Sequence, residues 1–266
     1  MNEYEQKPAS ILTIPVAIVV AGALIAVAVI YTSTPKTINT AQKTTQSGNV
    51  ISPLPIEEKD HMLGNPSAPI IIIEYSDTEC PFCKNFHSTM HRLIDKYGKD
   101  GKLAWVYRHL PISNLHSKAW NEAIATECAA LAGNGEATFW KYTDKIYEIT
   151  PSNDKLDPSK LIETAKNLGL DMARFQSCLD KKETKDKVSR DYDDGVALNQ
   201  GRPGTPTNVF VLDSALSSDK RLALSKIVAN EGLEAYITIS DDGKNILVKG
   251  AFPYEIMALM IDLLLQ

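Results

Sequence analysis

With 266 residues, 44% of them hydrophobic and 23% charged, the chain is long enough to bury one large core or two small ones without relying on cysteine staples. A net charge of −5 leaves no basic surplus to hold phosphates, which argues against a nucleic-acid partner. The four cysteines, Cys80, Cys83, Cys128 and Cys178, form one tight pair and two distant members, so the compartment decides how they are read.

Residues 11–31, ILTIPVAIVVAGALIAVAVIY, are uncharged over roughly 31 Å of helix, enough to cross a bilayer. The start, MNEYEQK, carries two Glu against one Lys, and the apolar run exceeds the about 7–15 residues of a secretory signal core. An uncleaved transmembrane anchor is therefore expected, with a cleaved signal as the alternative. Residues 32–60, rich in Thr, Ser, Asn, Gln and Pro, read as a flexible tether. The chain thus divides into an N-terminus (1–10), an anchor (11–31), a linker (32–60) and a folded domain (61–266).

Within that domain PIIIIEY, from Pro69 to Tyr75, has the β-branched, unbroken apolar character of a buried central strand. A helix follows from Pro81 to Tyr97, stopped at Gly98, with Phe82, Phe86, Met90, Leu93 and Ile94 near one face. Leu103–Leu110 reads as a second strand completing a β-α-β unit. Helical periods then run through a region at about 113–200, whose Trp120, Phe139, Trp140, Tyr142 and Tyr147 are expected to form its core. Strands return at Thr205–Leu212 and Asn245–Phe252, and PYEIMALMIDLLLQ closes the chain as a helix. Between them, Ser214–Ile239 holds a short helix, RLALSKIVAN, and a candidate strand, AYITIS, with no functional assignment.

The chemistry concentrates in ECPFCKNFH, residues 79–87. Cys80 falls at the N-cap of the Pro81 helix, where free amides and the positive dipole end favour thiolate over thiol. Such cysteines titrate at about 3.5–7.5 against about 8.5 for a free one. A depression of roughly three units is about 4 kcal/mol, and it makes the disulfide more oxidising by on the order of 90 mV. Cys83, one turn further in, is the resolving thiol, and Glu74 on the preceding strand is the nearest candidate to exchange its proton; its other reading is a surface carboxylate at a strand end. Asp77 and Glu79 oppose the thiolate by like charge, which points to a moderate potential. Cys80, Cys83, His87 and His91 fall near one helix face and are ligand types for zinc or copper. Donors strung over roughly 16 Å of one helix cannot all meet one ion at about 2.0–2.3 Å, so at most neighbours bind, no metal is expected, and the two histidines read as packing or surface residues.

Taken with VYRHLPI, HSKAW, ECAAL, FWKYTDKIYE, GTPT at 204–207 and GAFPYE at 250–255, the motif resembles the DsbA-like thiol:disulfide oxidoreductases from about Met62 to the end. The resemblance implies an α/β thioredoxin fold with an inserted helical subdomain, and a protein disulfide oxidoreductase needing no cofactor beyond its redox pair. It implies Cys80 as the exposed nucleophile, Cys83 as its partner in a redox-active disulfide, Glu74 as a buried acid, and a cis Thr205-Pro206 bond facing the pair. Pro81, Phe82, Thr205 and Pro206 then form the substrate-binding surface. Phe82 departs from the pattern by offering no hydrogen-bond donor between the cysteines. Implied partners are cysteine-containing exported proteins and a DsbB-like or VKOR-like, quinone-linked membrane protein that reoxidises the pair. The implied place is the extracytoplasmic side of a prokaryotic plasma membrane, with the domain held by the single-pass anchor. The alternatives are a disulfide isomerase or reductase using the same pair, or a non-catalytic metal- or client-binding module. In an oxidising compartment Cys128 and Cys178 form a structural disulfide; otherwise they are two buried free thiols.

Overall fold

A computed structural model describes residues 50–266. The anchor expected at 11–31 and the linker up to 49 lie outside the described residues; among those described, no helix is long and apolar enough to cross a membrane. In chain order the elements are β1 (His61–Gly64), β2 (Ile70–Ser76), α1 (Pro81–Leu93, continued by a π-helical turn at Ile94–Gly98) and β3 (Leu103–His109). Helices α2 (Ala119–Ala132), α3 (Gly135–Ile149), α4 (Ser159–Asn167), α5 (Met172–Lys181) and α6 (Lys185–Leu198) follow. The chain ends with β4 (Thr207–Leu212), α7 (Ser218–Asn230), β5 (Ile237–Ile239), β6 (Asn245–Lys249) and α8 (Tyr254–Leu264).

The six strands make one mixed sheet in the order β1-β3-β2-β4-β6-β5. Only β2 and β3 run parallel, joined through α1, and every other neighbouring pair is antiparallel. Period-two alternation sends Ile70 and Ile72 of β2 to one face and Ile73 and Tyr75 to the other. On the first face they meet Phe86, Met90 and Leu93 of α1 and Met257, Met260 and Ile261 of α8, and on the second Tyr192 and Val196 of α6. With both faces covered, the near-continuous apolar run of β2 is what a central strand requires. Helix α6 comes close enough that a Cβ on Gly195 would lie 2.9 Å from the Tyr75 ring, so the glycine is set by that contact.

β1 escaped the sequence reading because its four residues are too few to establish a period; it pairs with β3 at the sheet edge. Gly64 ends it at φ +104°, where a side chain would strike the Leu103 carbonyl. The segment Ser214–Ile239 has a packing role: β5 extends the other edge, and α7 inserts Leu224 and Val228 into the core under α8.

The inserted helices hold a second core of Ile124, Cys128, Tyr142, Ile146, Phe175 and Cys178. A disulfide joins Cys128 of α2 to Cys178 of α5 across 50 positions, and the chain-entropy model credits a loop of that length with about 4 kcal/mol. Two expectations need correction. Of the aromatic set assigned to the insertion, Phe139, Trp140 and Tyr147 lie instead in the sheet-side core with Trp105 and Tyr107, because α3 has two buried faces. The linker also ends before residue 60: Ile51 is buried, the Leu54 N–H donates to Asp194, and Arg108 donates to the Leu54 and Pro55 carbonyls and to Asp60. The composition of 50–60 is that of a tether, but a buried arginine on β3 supplies the donors that pin it.

Candidate active site

Cys80 is the N-cap of α1, with extended backbone at φ −78° and ψ 121° and Pro81 behind it at the first helical position. Pro fits there because its missing N–H would have been an orphan of the first turn. Both Cys80 and Cys83 are free thiols. The Thr205-Pro206 bond is cis, and the Thr205 carbonyl lies 3.6 Å from the Cys80 sulfur. That carbonyl covers the nucleophile: Cys80 is 5% exposed, which corrects the expectation of an exposed sulfur, while Phe82 beside it is 64% exposed. The open apolar surface at the motif is therefore Phe82.

The Cys80 thiol is pushed down to about 6, first by hydrogen bonding from Cys83, then by Thr205 and by the backbone amides of Cys83 and Phe82, all against burial. Cys83 moves the opposite way, raised by burial and by the neighbouring Cys80 and Glu74 charges. One thiolate and one thiol at neutral pH is the division of labour a dithiol pair needs. Alkylation of the reduced protein by iodoacetamide should therefore rise with a midpoint near pH 6 and label Cys80 alone; a midpoint at or above the ordinary cysteine range would contradict this geometry.

Of the two carboxylates expected to oppose the thiolate, Asp77 has a cationic partner. Asp77 accepts from the Glu79 and Ile112 amides and shares a 2.9 Å bond with His116 Nδ1, whose pKa that contact raises. Glu122 of α2, beside Glu79 and bonded by the Thr78 hydroxyl at 2.6 Å, is pushed up to about 8 by burial and by the Glu79 and Asp77 carboxylates. A neutral Glu122 adds no third negative charge beside Asp77 and Glu79.

Glu74 is fully buried in the middle of the sheet, between Tyr107 of β3 and Asn208 of β4. Its Oε1 accepts from the Ser76 hydroxyl at 2.7 Å, and Ser76 shares a 2.8 Å bond with the Tyr147 hydroxyl, which lies 3.0 Å from that of Tyr107. Oε2 has no partner. Burial drives the acid up to about 7, against the lowering effects of Ser76, Trp105 and His91. A folded value of about 7 against 4.5 means that the stability it contributes is fully present below pH 4.5 and is lost as pH rises through 7. Glu74→Gln should therefore be more stable than the parent at pH 8 by on the order of 3 kcal/mol and indistinguishable near pH 4, while slowing thiol exchange. Equal urea midpoints at pH 8 would show that the acid is not raised.

Ser76, Tyr147, Trp105, His116 and Glu122 were not found from the sequence. Ser76 alone had a signal, two residues from Glu74 and so on the same strand face; the others arrive from separate elements. His87 and His91 are paired with Asp144 of α3 and packed on Trp105, His87 buried and His91 half-open.

The sequence model of the thioredoxin family matches residues 57–223, more than half of the chain. The chain belongs to this family. Its fold is that of DsbA proteins: Wolbachia pipientis alpha-DsbA1 superposes with a TM-score of 0.58 at 21% identity, covering 79% of this chain and 93% of that one. Pseudomonas aeruginosa DsbA2 superposes at 0.52 with 25% identity, covering 79% and 96%. Among curated proteins, the Na(+)/H(+) antiporter NhaA 1 of Mycolicibacterium gilvum is 34% identical over 152 residues, 56% of this chain and 23% of the antiporter. This chain spans under a quarter of the length of that relative, so what the two share is one portion of a longer protein. The DsbA-like fold puts Cys80, Cys83, Glu74 and Pro206 of this chain at one place, the junction of β2, α1 and the loop entering β4.

Proposed function

We propose that the protein is a thiol:disulfide oxidoreductase that forms disulfides in exported proteins. One observation carries this reading: a free Cys80 at the start of α1, lowered to about 6, against the carbonyl that precedes a cis proline. In the oxidised enzyme a client thiolate attacks the Cys80 sulfur of the Cys80–Cys83 disulfide. Cys83 leaves with the electron pair and takes a proton that the buried Glu74, held up to about 7 and bonded by Ser76, supplies. A second client thiolate attacks the client sulfur of the mixed disulfide and expels Cys80 as a stable thiolate. The client loses two electrons, the enzyme gains them, and a membrane partner of the DsbB or VKOR kind reoxidises the pair. Cis Pro206 offers no N–H, so extended client backbone can lie beside Thr205 while apolar client side chains meet Phe82.

Placement on the extracytoplasmic side of a plasma membrane, held by residues 11–31, is part of the same proposal; the Cys128–Cys178 disulfide supports it, since such bridges persist in oxidising compartments. The deciding measurement is the Cys80–Cys83 reduction potential in glutathione buffers. A value above about −200 mV is expected of an oxidant, and one near the cytosolic glutathione poise would reassign the same residues to a reductase.

A further inference from the structure

Three donor atoms outside the thiol site converge across the junction of α1 and α3. His87 Nε2 and His91 Nε2 lie 2.7 and 2.8 Å from the same Asp144 Oδ1, and 3.2 Å from each other. The histidines stand at i and i+4 on α1, a spacing that brings two imidazoles to one helix face and serves zinc where a third ligand comes from elsewhere. The sequence led to an expectation of no metal and of packing or surface roles for both histidines, because donors along α1 alone cannot converge; the Asp144 carboxylate delivered by α3 has no signal in the sequence. A point about 2.0–2.1 Å from all three atoms exists roughly 1.1 Å out of their plane, and for tetrahedral angles the two pairs at 2.7 and 2.8 Å must spread to about 3.3 Å, a rotamer-scale adjustment of Asp144. All three residues line one open groove of about 430 Å³, bordered also by Lys84, Ser88 and Glu148.

From this geometry we infer that His87, His91 and Asp144 form a binding site for a divalent late-transition metal ion of the zinc class, clamping the redox helix α1 to the helical insertion. Two imidazoles and a carboxylate suit zinc and its borderline neighbours rather than calcium or magnesium, which prefer all-oxygen shells. The other polar histidine cluster of the described domain lacks this capacity: His61 and His109 share Glu127 with the Lys187 ammonium, 3.2 Å from that carboxylate, which already fills the cationic role. The His87 site is not ideal. Its Nδ1 is buried without a partner, so the ring lacks the acceptor that usually orients a metal-bound imidazole, a lack that weakens affinity by about 10–100-fold. Micromolar rather than nanomolar affinity is expected. The clamp would also fix Tyr147, whose ring packs 4.4 Å from that of His87 and whose hydroxyl bonds Ser76 beside Glu74.

The test uses the full chain, stripped with a chelator and held in the Cys80–Cys83 disulfide form so that no thiolate competes. Calorimetric titration with Zn²⁺ alone should give one equivalent, and His91→Gln and Asp144→Asn should each weaken it at least tenfold with unchanged far-UV circular dichroism. Co²⁺ should give the visible bands of a tetrahedral nitrogen–oxygen site in the parent protein, a readout that does not depend on any variant folding. Absence of saturable uptake, or one-equivalent uptake that survives both substitutions, would overturn the site and leave a histidine–aspartate ion pair.

Discussion

Cys83→Ser should convert the protein from a turnover catalyst into a trap that accumulates mixed disulfides on Cys80, whereas Cys80→Ser should abolish exchange altogether. In both variants the probe is a client that already carries a disulfide: the Cys80 thiolate attacks one client sulfur, forms the mixed disulfide and expels the other client sulfur as a thiolate. The asymmetry follows from the two microenvironments. Cys80 is held near 6 by donors converging on its sulfur and so is the better attacking and leaving group at neutral pH, while Cys83 is fully buried and raised, reachable from within the protein and not by a client. Without Cys83 the mixed disulfide loses its internal resolving thiol and persists until a second external thiol arrives. Non-reducing gels of client proteins incubated with each variant, followed by mass mapping of the linked cysteine, distinguish the outcomes. Client adducts on Cys83 of the Cys80→Ser variant, in yields like those on Cys80, would reverse the assignment of nucleophile.

Arg108→Met should cost about 3–5 kcal/mol and release residues 51–60 to proteolysis, because it strips the partner from buried carboxylates. Arg108 is fully buried on β3, and its guanidinium grips Asp60 at 3.0 and 2.8 Å, Asp194 of α6 at 2.7 Å, the Tyr75 hydroxyl at 3.1 Å and the Leu54 and Pro55 carbonyls at 3.0 and 3.1 Å. All five donor hydrogens are thereby engaged, which is why the charge is tolerated in the interior. Burial works against the charge, but these contacts more than offset it and hold the guanidinium ionised. Methionine matches the stem but leaves Asp60 with only the Glu57 amide and Arg190 at 3.9 Å, and Asp194 with only the neutral donors Leu54 N–H and Tyr75 O–H. Urea unfolding gives the energy and limited proteolysis locates the release. A midpoint within about 0.5 kcal/mol of the parent would mean that the carboxylates find water instead, and that the docked segment is not held by this residue.

Much of the architecture was legible because it rests on local rules. Four consecutive isoleucines ending in Glu74-Tyr75 belong in a strand covered on both faces, Pro81 after Cys80 starts a helix, and Gly98 ends it; the structure agrees within a residue or two at β2, β3 and β4, β6 stops three residues earlier than expected, and the redox helix turns from α to π before Gly98. Four-residue β1 was not legible, since a stretch so short has no period, and neither was the docking of 51–60, since polar, proline-bearing composition cannot reveal that a buried arginine elsewhere will supply its hydrogen bonds.

The division is clearest at the site. The sequence by itself determined the residue types, the two-residue spacing of Cys80 and Cys83, and the helix start that activates the first of them, because these depend on neighbours within one turn. Only the tertiary structure decided that Thr205 covers Cys80, that Glu74 is fully buried and linked through Ser76 to Tyr147, that His116 pairs with Asp77, and that Glu122 is held neutral beside Glu79. Those outcomes depend on burial and on charges tens of residues away in the chain, and no local pattern encodes the distance between them.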